Sequence, residues 1–154
     1  MARYAVTRTL PYTPDQLFEL VGDVAKYPEF VPWVTSMRVY NERIEPEGIR
    51  ALDAEAAVGF SFLRERFGTS VRRDAAAHVI NVSLLSGPFR KLDNRWRFTP
   101  AGPGTRIDFV IDFEFKVRLL DAFLRANFDK AVNRLIGCFE ARARQLYGDP
   151  AQLA

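Results

Sequence analysis

The chain has 154 residues, 48% apolar and 27% charged, and carries a net charge of +3 with a sequence pI near 9.2. A chain of that length buries roughly 70% of its unfolded surface, enough for a core that needs neither disulfide nor structural metal. Cys138 and His78 are each the only residue of their type, which excludes an intramolecular disulfide and a two-His zinc site and leaves any Ser-His or Cys-His pair dependent on His78. Thirteen Phe stand against five Tyr and two Trp, so the expected interior is bulky and dry. The mild positive charge fits RNA or an anionic membrane surface without demanding either. No apolar run approaches the roughly 20 residues that span a bilayer. Met1 to Leu10 alternates like a strand and not like a signal peptide, so the expected place is the cytoplasm or a membrane face.

Arg3 to Leu10 reads as the first strand, with Tyr4, Val6 and Leu10 on one side. Thr13-Pro14-Asp15-Gln16 is a strong helix start, in which Thr13 caps, Pro14 suits the first position and Gln16 completes a capping box. Leu17, Phe18, Leu20 and Val21 supply the buried face, and the helix stops at Gly22. Asp23 is placed to cap a second short turn through Val24, Ala25 and Lys26, ended by Pro28. Pro28 and Pro32 then forbid a regular helix or central strand from Tyr27 to Trp33, leaving an irregular apolar crossing.

From Thr35 to about Val117 strands alternate with turns near Glu45–Gly48, Ser86–Pro88 and Ala101–Gly104. In the last strand Ile107, Phe109, Ile111, Phe113 and Phe115 face one way, and Arg106, Asp108, Asp112 and Glu114 the other. That is one dry and one wet face. Trp96 and Phe98 alternate with Arg95 and Arg97 before it, while Val79 to Leu85 is less one-sided. Arg118 to Tyr147 then reads as a single amphipathic helix. Leu120, Leu124, Phe128, Ala131, Val132, Leu135, Phe139 and Leu146 form its stripe, Asp121, Arg125 and Asp129 its wet side, and Gly137 lies on that wet side without a physical reason.

Strands followed by a long helix indicate an α+β fold. A curved antiparallel sheet gripping a helix tends to leave a space between them, and aromatic walls make that space dry and suited to an apolar ligand. Phe at these spacings also serves as plain core. Glu65 shares a face with Phe67, Thr69 and Val71; it is the one carboxylate for acid–base work if the protein is an enzyme, although a salt bridge with Arg64 or Arg66 is the commoner role. Arg64, Arg66, Arg72, Arg73, Arg90, Lys91, Arg95 and Arg97 are expected on the outer face, where they suit phosphate binding. Glu65, Asp74, Asp93 and Asp112 balance them.

The segments Tyr27-Pro28-Glu29-Phe30-Val31-Pro32-Trp33, Val58-Gly59-Phe60, Gly87-Pro88-Phe89-Arg90-Lys91-Leu92, Trp96-Arg97-Phe98 and Cys138-Phe139-Glu140-Ala141-Arg142-Ala143 resemble the coenzyme Q-binding START family. Its relatives include bacterial ribosome association toxins and polyketide cyclase/dehydrases. The resemblance runs from about Arg3 to Tyr147, with Tyr-Pro-x-Phe-Val-Pro-Trp its most specific part. It implies a helix-grip, START-like domain over residues 1–148 with a short tail at 149–154, in a bacterial protein without a mitochondrial presequence.

The resemblance further implies a non-catalytic carrier or chaperone that binds ubiquinone and supports respiration, with no required cofactor, no metal and no DNA partner. The expected tunnel residues are Phe62, Phe67, Trp96, Phe109, Phe113 and Phe115 on the sheet and Leu124, Phe128 and Leu135 on the helix. Phe30, Val31, Pro32 and Trp33 are expected at its mouth, with Tyr27, Trp33 and Trp96 as donors to the quinone head. Leu119 and Phe123, flanked by Lys116, Arg118 and Arg125, either pack under the Tyr27 to Trp33 segment or suit contact with an anionic membrane, the inner one in a bacterium. The large ribosomal subunit, bound through the basic face, is the alternative partner, and a cyclase-like enzyme the third reading.

Overall fold

The computed structural model describes residues 2–60 and 63–148. Strands β1 (Ala2–Leu10), β2 (Val34–Glu45), β3 (Ile49–Phe60), β4 (Leu63–Asp74), β5 (Val79–Ser86), β6 (Phe89–Ala101) and β7 (Gly104–Phe115) form one antiparallel sheet in the order β1-β7-β6-β5-β4-β3-β2. β2 to β7 are successive hairpins, and β1 joins from the other end by pairing with β7. Helix α1 (Pro14–Gly22) and a 3-10 turn (Val24–Glu29) carry the chain from one edge of the sheet to the other. Helices α2 (Arg118–Ala126) and α3 (Phe128–Tyr147) follow β7. This is the α+β helix-grip arrangement.

Curvature comes from irregularities in pairing. Register shifts fall between Tyr40 and Arg43, between Gly68 and Thr69, and between Phe89 and Lys91, and each such bulge bends its strand and increases local twist. Gly87, at φ +131°, turns the β5–β6 hairpin so tightly that a Cβ there would lie 2.5 Å from the Phe67 Cβ. The turn thus presses directly behind a residue of the concave wall.

The capping box forms as expected: the Gln16 amide N–H donates to Thr13 Oγ1, and Gln16 Oε1 accepts the Thr13 N–H. Asp23 makes no side-chain cap bond, and the 3-10 turn runs through Pro28 to Glu29. Proline tolerates this because a short 3-10 turn asks little of its missing N–H. Arg142 on α3 holds the turn in place, 3.0 Å from Glu29 and with its guanidinium 5.2 Å from the Phe30 ring centre.

The single C-terminal helix is corrected to two. Asn127 leaves helical geometry at φ −113°, ψ 12°, and its side-chain amide donates to the Phe123 carbonyl at 2.8 Å. Asn competes for backbone carbonyls in this way, which is why it breaks helices that apolar periodicity alone would continue. The buried stripe of α3 is Phe128, Val132, Ile136, Phe139 and Ala143. Ile136 replaces Leu146, which is 51% exposed. Gly137 is exposed, and a Cβ there would meet nothing within 4 Å.

Candidate functional site

Between the concave face and α2–α3 lies a cavity of about 350 Å³. β7 contributes Phe109, Ile111, Phe113 and Phe115, and β6 contributes Phe89, Leu92, Asn94 and Trp96. Opposite them β3 presents Ala54, Ala56 and Val58, and β4 presents Phe67, Thr69 and Val71. The space exists because the Ala side chains of β3 stand where larger residues would meet the helix. Leu124 of α2 and Phe128, Ala131, Leu135 and Phe139 of α3 form the roof, with Val24, Tyr27, Val31 and Trp33 closing one side.

Exposure grades along the cavity. Trp96, Phe109 and Phe139 are buried at one end, whereas Trp33, Val58, Phe67 and Leu124 are half-buried and Ala131 exposed at the other. The open end is therefore bounded by the Val58 end of β3, the start of β2 and the α2–α3 junction. Rings pack into a collar just inside it, Phe67 against Phe89 at 5.4 Å and Phe89 against Phe115 at 4.3 Å. Deeper, the Trp96 ring meets Phe109 at 4.7 Å and Phe139 at 5.4 Å.

Of the residues expected to bind ligand, Tyr27, Val31, Trp33, Phe67, Trp96, Phe109, Phe113, Phe115, Leu124, Phe128 and Leu135 line this one space. Phe62 lies outside the described residues. Phe30 and Pro32 do not line the cavity: the Phe30 ring packs on Tyr27 and Phe139, behind the wall, and Pro32 is exposed. Sequence reasoning missed the small wall of β3. Its signal was available in the alternation of Leu52, Ala54, Ala56 and Val58 with Asp53 and Glu55.

The expected donors are largely engaged elsewhere. The Tyr27 hydroxyl donates to the Val21 carbonyl, and burial, helped by the charge of Asp23, pushes the phenol far above its usual range. The indole N–H of Trp96 donates to Asn94 Oδ1 at 2.8 Å. Trp33 lies under the Arg134 guanidinium, 5.7 Å from its ring centre.

Glu65 has the concave parity of Phe67, in register with Val58, but is half-buried, does not line the cavity and forms no ion pair with a described residue. No cluster of three or more His, Cys, Asp or Glu suited to a metal occurs among the described residues. His78 is half-buried at a turn, with Nε2 2.6 Å from Asp15 Oδ1. The cavity can therefore enclose an apolar molecule, and it brings together no convergent acid and base.

On the convex face Arg66 and Arg38 share Glu55 at 3.6 and 3.5 Å, Arg72 meets Glu45 at 2.8 Å, and Arg3 meets Asp112 at 3.6 Å. Arg73 is corrected: it pairs across to Ile80 with concave parity and reaches the Gly22 carbonyl at 3.4 Å beneath α1. Arg64, Arg90, Arg95 and Arg97 are exposed, Arg97 in register with Asp108. Leu119 is 82% exposed and Val117 57%, while Phe123 is half-buried. No helix among the described residues is long and apolar enough to cross a membrane.

The family model described as polyketide cyclase / dehydrase and lipid transport matches residues 10–140. Ribosome association toxin RatA of Rickettsia prowazekii is 31% identical over 149 residues, covering 95% of this chain and 99% of that protein. Coenzyme Q-binding protein COQ10 homolog B of Xenopus laevis, a mitochondrial protein, is 30% identical over 149 residues, 94% of this chain and 59% of that one. The solution structure of an 18 kDa Caulobacter crescentus protein superimposes with a TM-score of 0.82 at 62% identity, covering 97% of this chain and all of that one.

Proposed function

This chain belongs to the polyketide cyclase/dehydrase and lipid transport family, and on that premise we propose that it binds ubiquinone or a similar isoprenoid lipid and acts as a non-catalytic carrier supporting respiratory electron transfer. The observation that carries this reading is the cavity itself, walled almost wholly by aromatic and aliphatic side chains from the sheet, α2 and α3. Its 350 Å³ lies at the low end of the roughly 300–1,000 Å³ usual for ligand sites. It thus takes a ring and the start of a tail and leaves the rest of an isoprenoid chain at the open end. The kinship with a coenzyme Q-binding protein supports the choice of lipid. Exposed Leu119 and Val117, beside Lys116 and Arg118, suit transient contact with an anionic bilayer from which such a lipid would be taken.

A decyl-tailed ubiquinone titrated into the protein should quench tryptophan fluorescence, saturating at one molecule per chain, because Trp96 and Trp33 both border the cavity. Ala56→Leu, which fills the β3 wall, should leave the melting temperature unchanged or raised and weaken quinone binding at least tenfold. Unaltered binding in that variant would place the quinone elsewhere.

A second reading is association with the large ribosomal subunit through the convex face. The name and 31% identity of the Rickettsia relative favour it, as do exposed Arg90, Arg95 and Arg97. Several neighbouring cations are already paired with carboxylates, which lowers the charge available to phosphate. Co-sedimentation with that subunit that weakens steeply with salt, and is lost in an Arg95→Glu/Arg97→Glu variant, would establish this reading.

A further inference from the structure

We infer that Thr69 and Asn94 form the polar station that reads the head of the bound lipid, fixing it head inward with its tail through the aromatic collar. The inference rests on the lipid-binding reading above and adds to it an orientation and a chemical class, a head bearing carbonyl or ether oxygens.

Thr69 is 7% exposed, lines the cavity, and its hydroxyl makes no hydrogen bond with any described residue. The hydroxyl is not sealed away: it opens onto the cavity, where its free donor and acceptor capacity is available to a ligand oxygen. Its neighbours in register offer it no side-chain partner: Ala54 lies on one side and Leu84 on the other.

Asn94 has the complementary capacity. An indole N–H can only donate, so the Asn94 atom 2.8 Å from Trp96 Nε1 must be the oxygen. That fixes the amide nitrogen toward the Val110 carbonyl, 2.9 Å away. A primary amide carries two N–H donors and two acceptor lone pairs, so one donor and one acceptor remain after these bonds. The two bonds hold the amide rigidly at the cavity wall.

The register gives the depth. Asn94 stands opposite Val82, which stands opposite Val71, and Thr69 is one inward-facing position nearer the open end. The collar residue Phe67 is one position further out again. Four residues of strand separate the rows of Phe67 and Val71, about 13 Å. A ring with oxygens on both edges, seated past the collar, meets one donor at each level. Its tail then has only the open end to leave by. A hydrocarbon in the same place would cover the Thr69 hydroxyl and offer it nothing.

The test uses the full chain, a decyl-tailed 2,3-dimethoxy-5-methyl-1,4-benzoquinone, and decylbenzene as a ring-and-tail ligand without oxygens. Binding is followed by NMR titration of cavity methyl groups and of the Asn94 side-chain amide. Thr69→Val, which keeps the shape, is expected to weaken the quinone about fivefold and leave decylbenzene within twofold. The double variant Thr69→Val/Asn94→Leu, compared at equal folded fraction, is expected to weaken the quinone more than tenfold while holding decylbenzene. The Asn94 amide resonance of the unaltered protein should shift with the quinone and stay still with the hydrocarbon. Quinone affinity unchanged in Thr69→Val, with a silent Asn94 amide, overturns the station but leaves lipid binding standing. Failure of both ligands to bind the unaltered protein overturns the two together.

Discussion

Tyr27 is a wall residue whose chemistry is spent on the fold. Its hydroxyl ties the 3-10 turn to the end of α1 through the Val21 carbonyl, and its ring packs at 5.4 Å on Phe139. Burial raises its pKa in the folded state, so its stabilising contribution is complete below the unfolded value of about 10 and is lost as pH rises beyond that. Tyr27→Phe should cost about 1 kcal/mol at neutral pH and flatten the alkaline fall in stability. Denaturant melts across that range check it, and parallel declines in the two proteins would contradict an enclosed phenol. The sequence offered Tyr27 as a donor to ligand because a Tyr beside two prolines shows its type but not its partner. Asn94 and Thr69 were passed over for the opposite reason. Their inward parity follows from Trp96 and Phe67, yet a polar residue within an apolar pattern looks like an interruption until its enclosure is known.

At the scale of elements, α2 and α3 differ in how they are held. α3 buries five side chains, and its end is pinned by the Tyr147 hydroxyl donating to the Gln16 carbonyl and the Tyr12 hydroxyl to the Gly148 carbonyl. α2 buries none fully. Asp121 holds it, accepting the Phe115 N–H at 3.0 Å and meeting Arg125 at 2.7 Å. Amide exchange should therefore be faster throughout α2 than in the centre of α3, since local opening follows the burial it must undo. Equal protection across Asn127 would mean one cooperative helix. The break was not legible because Leu120, Leu124 and Phe128 keep one phase through Asn127. Only the local competition of the Asn side chain for the Phe123 carbonyl marks the interruption. β7 and the Arg95–Phe98 stretch of β6 were legible, because alternation of apolar with charged residues admits one register against a buried face, whereas the bulge between Phe89 and Lys91 was not.

At the scale of the whole molecule, the sheet, the roof and the cavity follow from the placing of large and small residues. Rings on β6, β7 and α3 face the Ala positions of β3, and the difference in volume remains as space. The rings and a dry space between sheet and helix were both legible in the sequence, whereas the small Ala wall of β3 was not, because it depends on which strands face which across the curved sheet. The central claim is that this space holds an isoprenoid quinone. The most direct measurement is to purify the protein from a quinone-producing host, extract it with organic solvent and identify the extract by mass spectrometry. The account predicts near-stoichiometric ubiquinone, lost from a folded Phe128→Asp variant whose charge enters the roof. An empty protein, or one carrying an unselective mixture of lipids, would contradict it and turn attention to the arginines of the convex face.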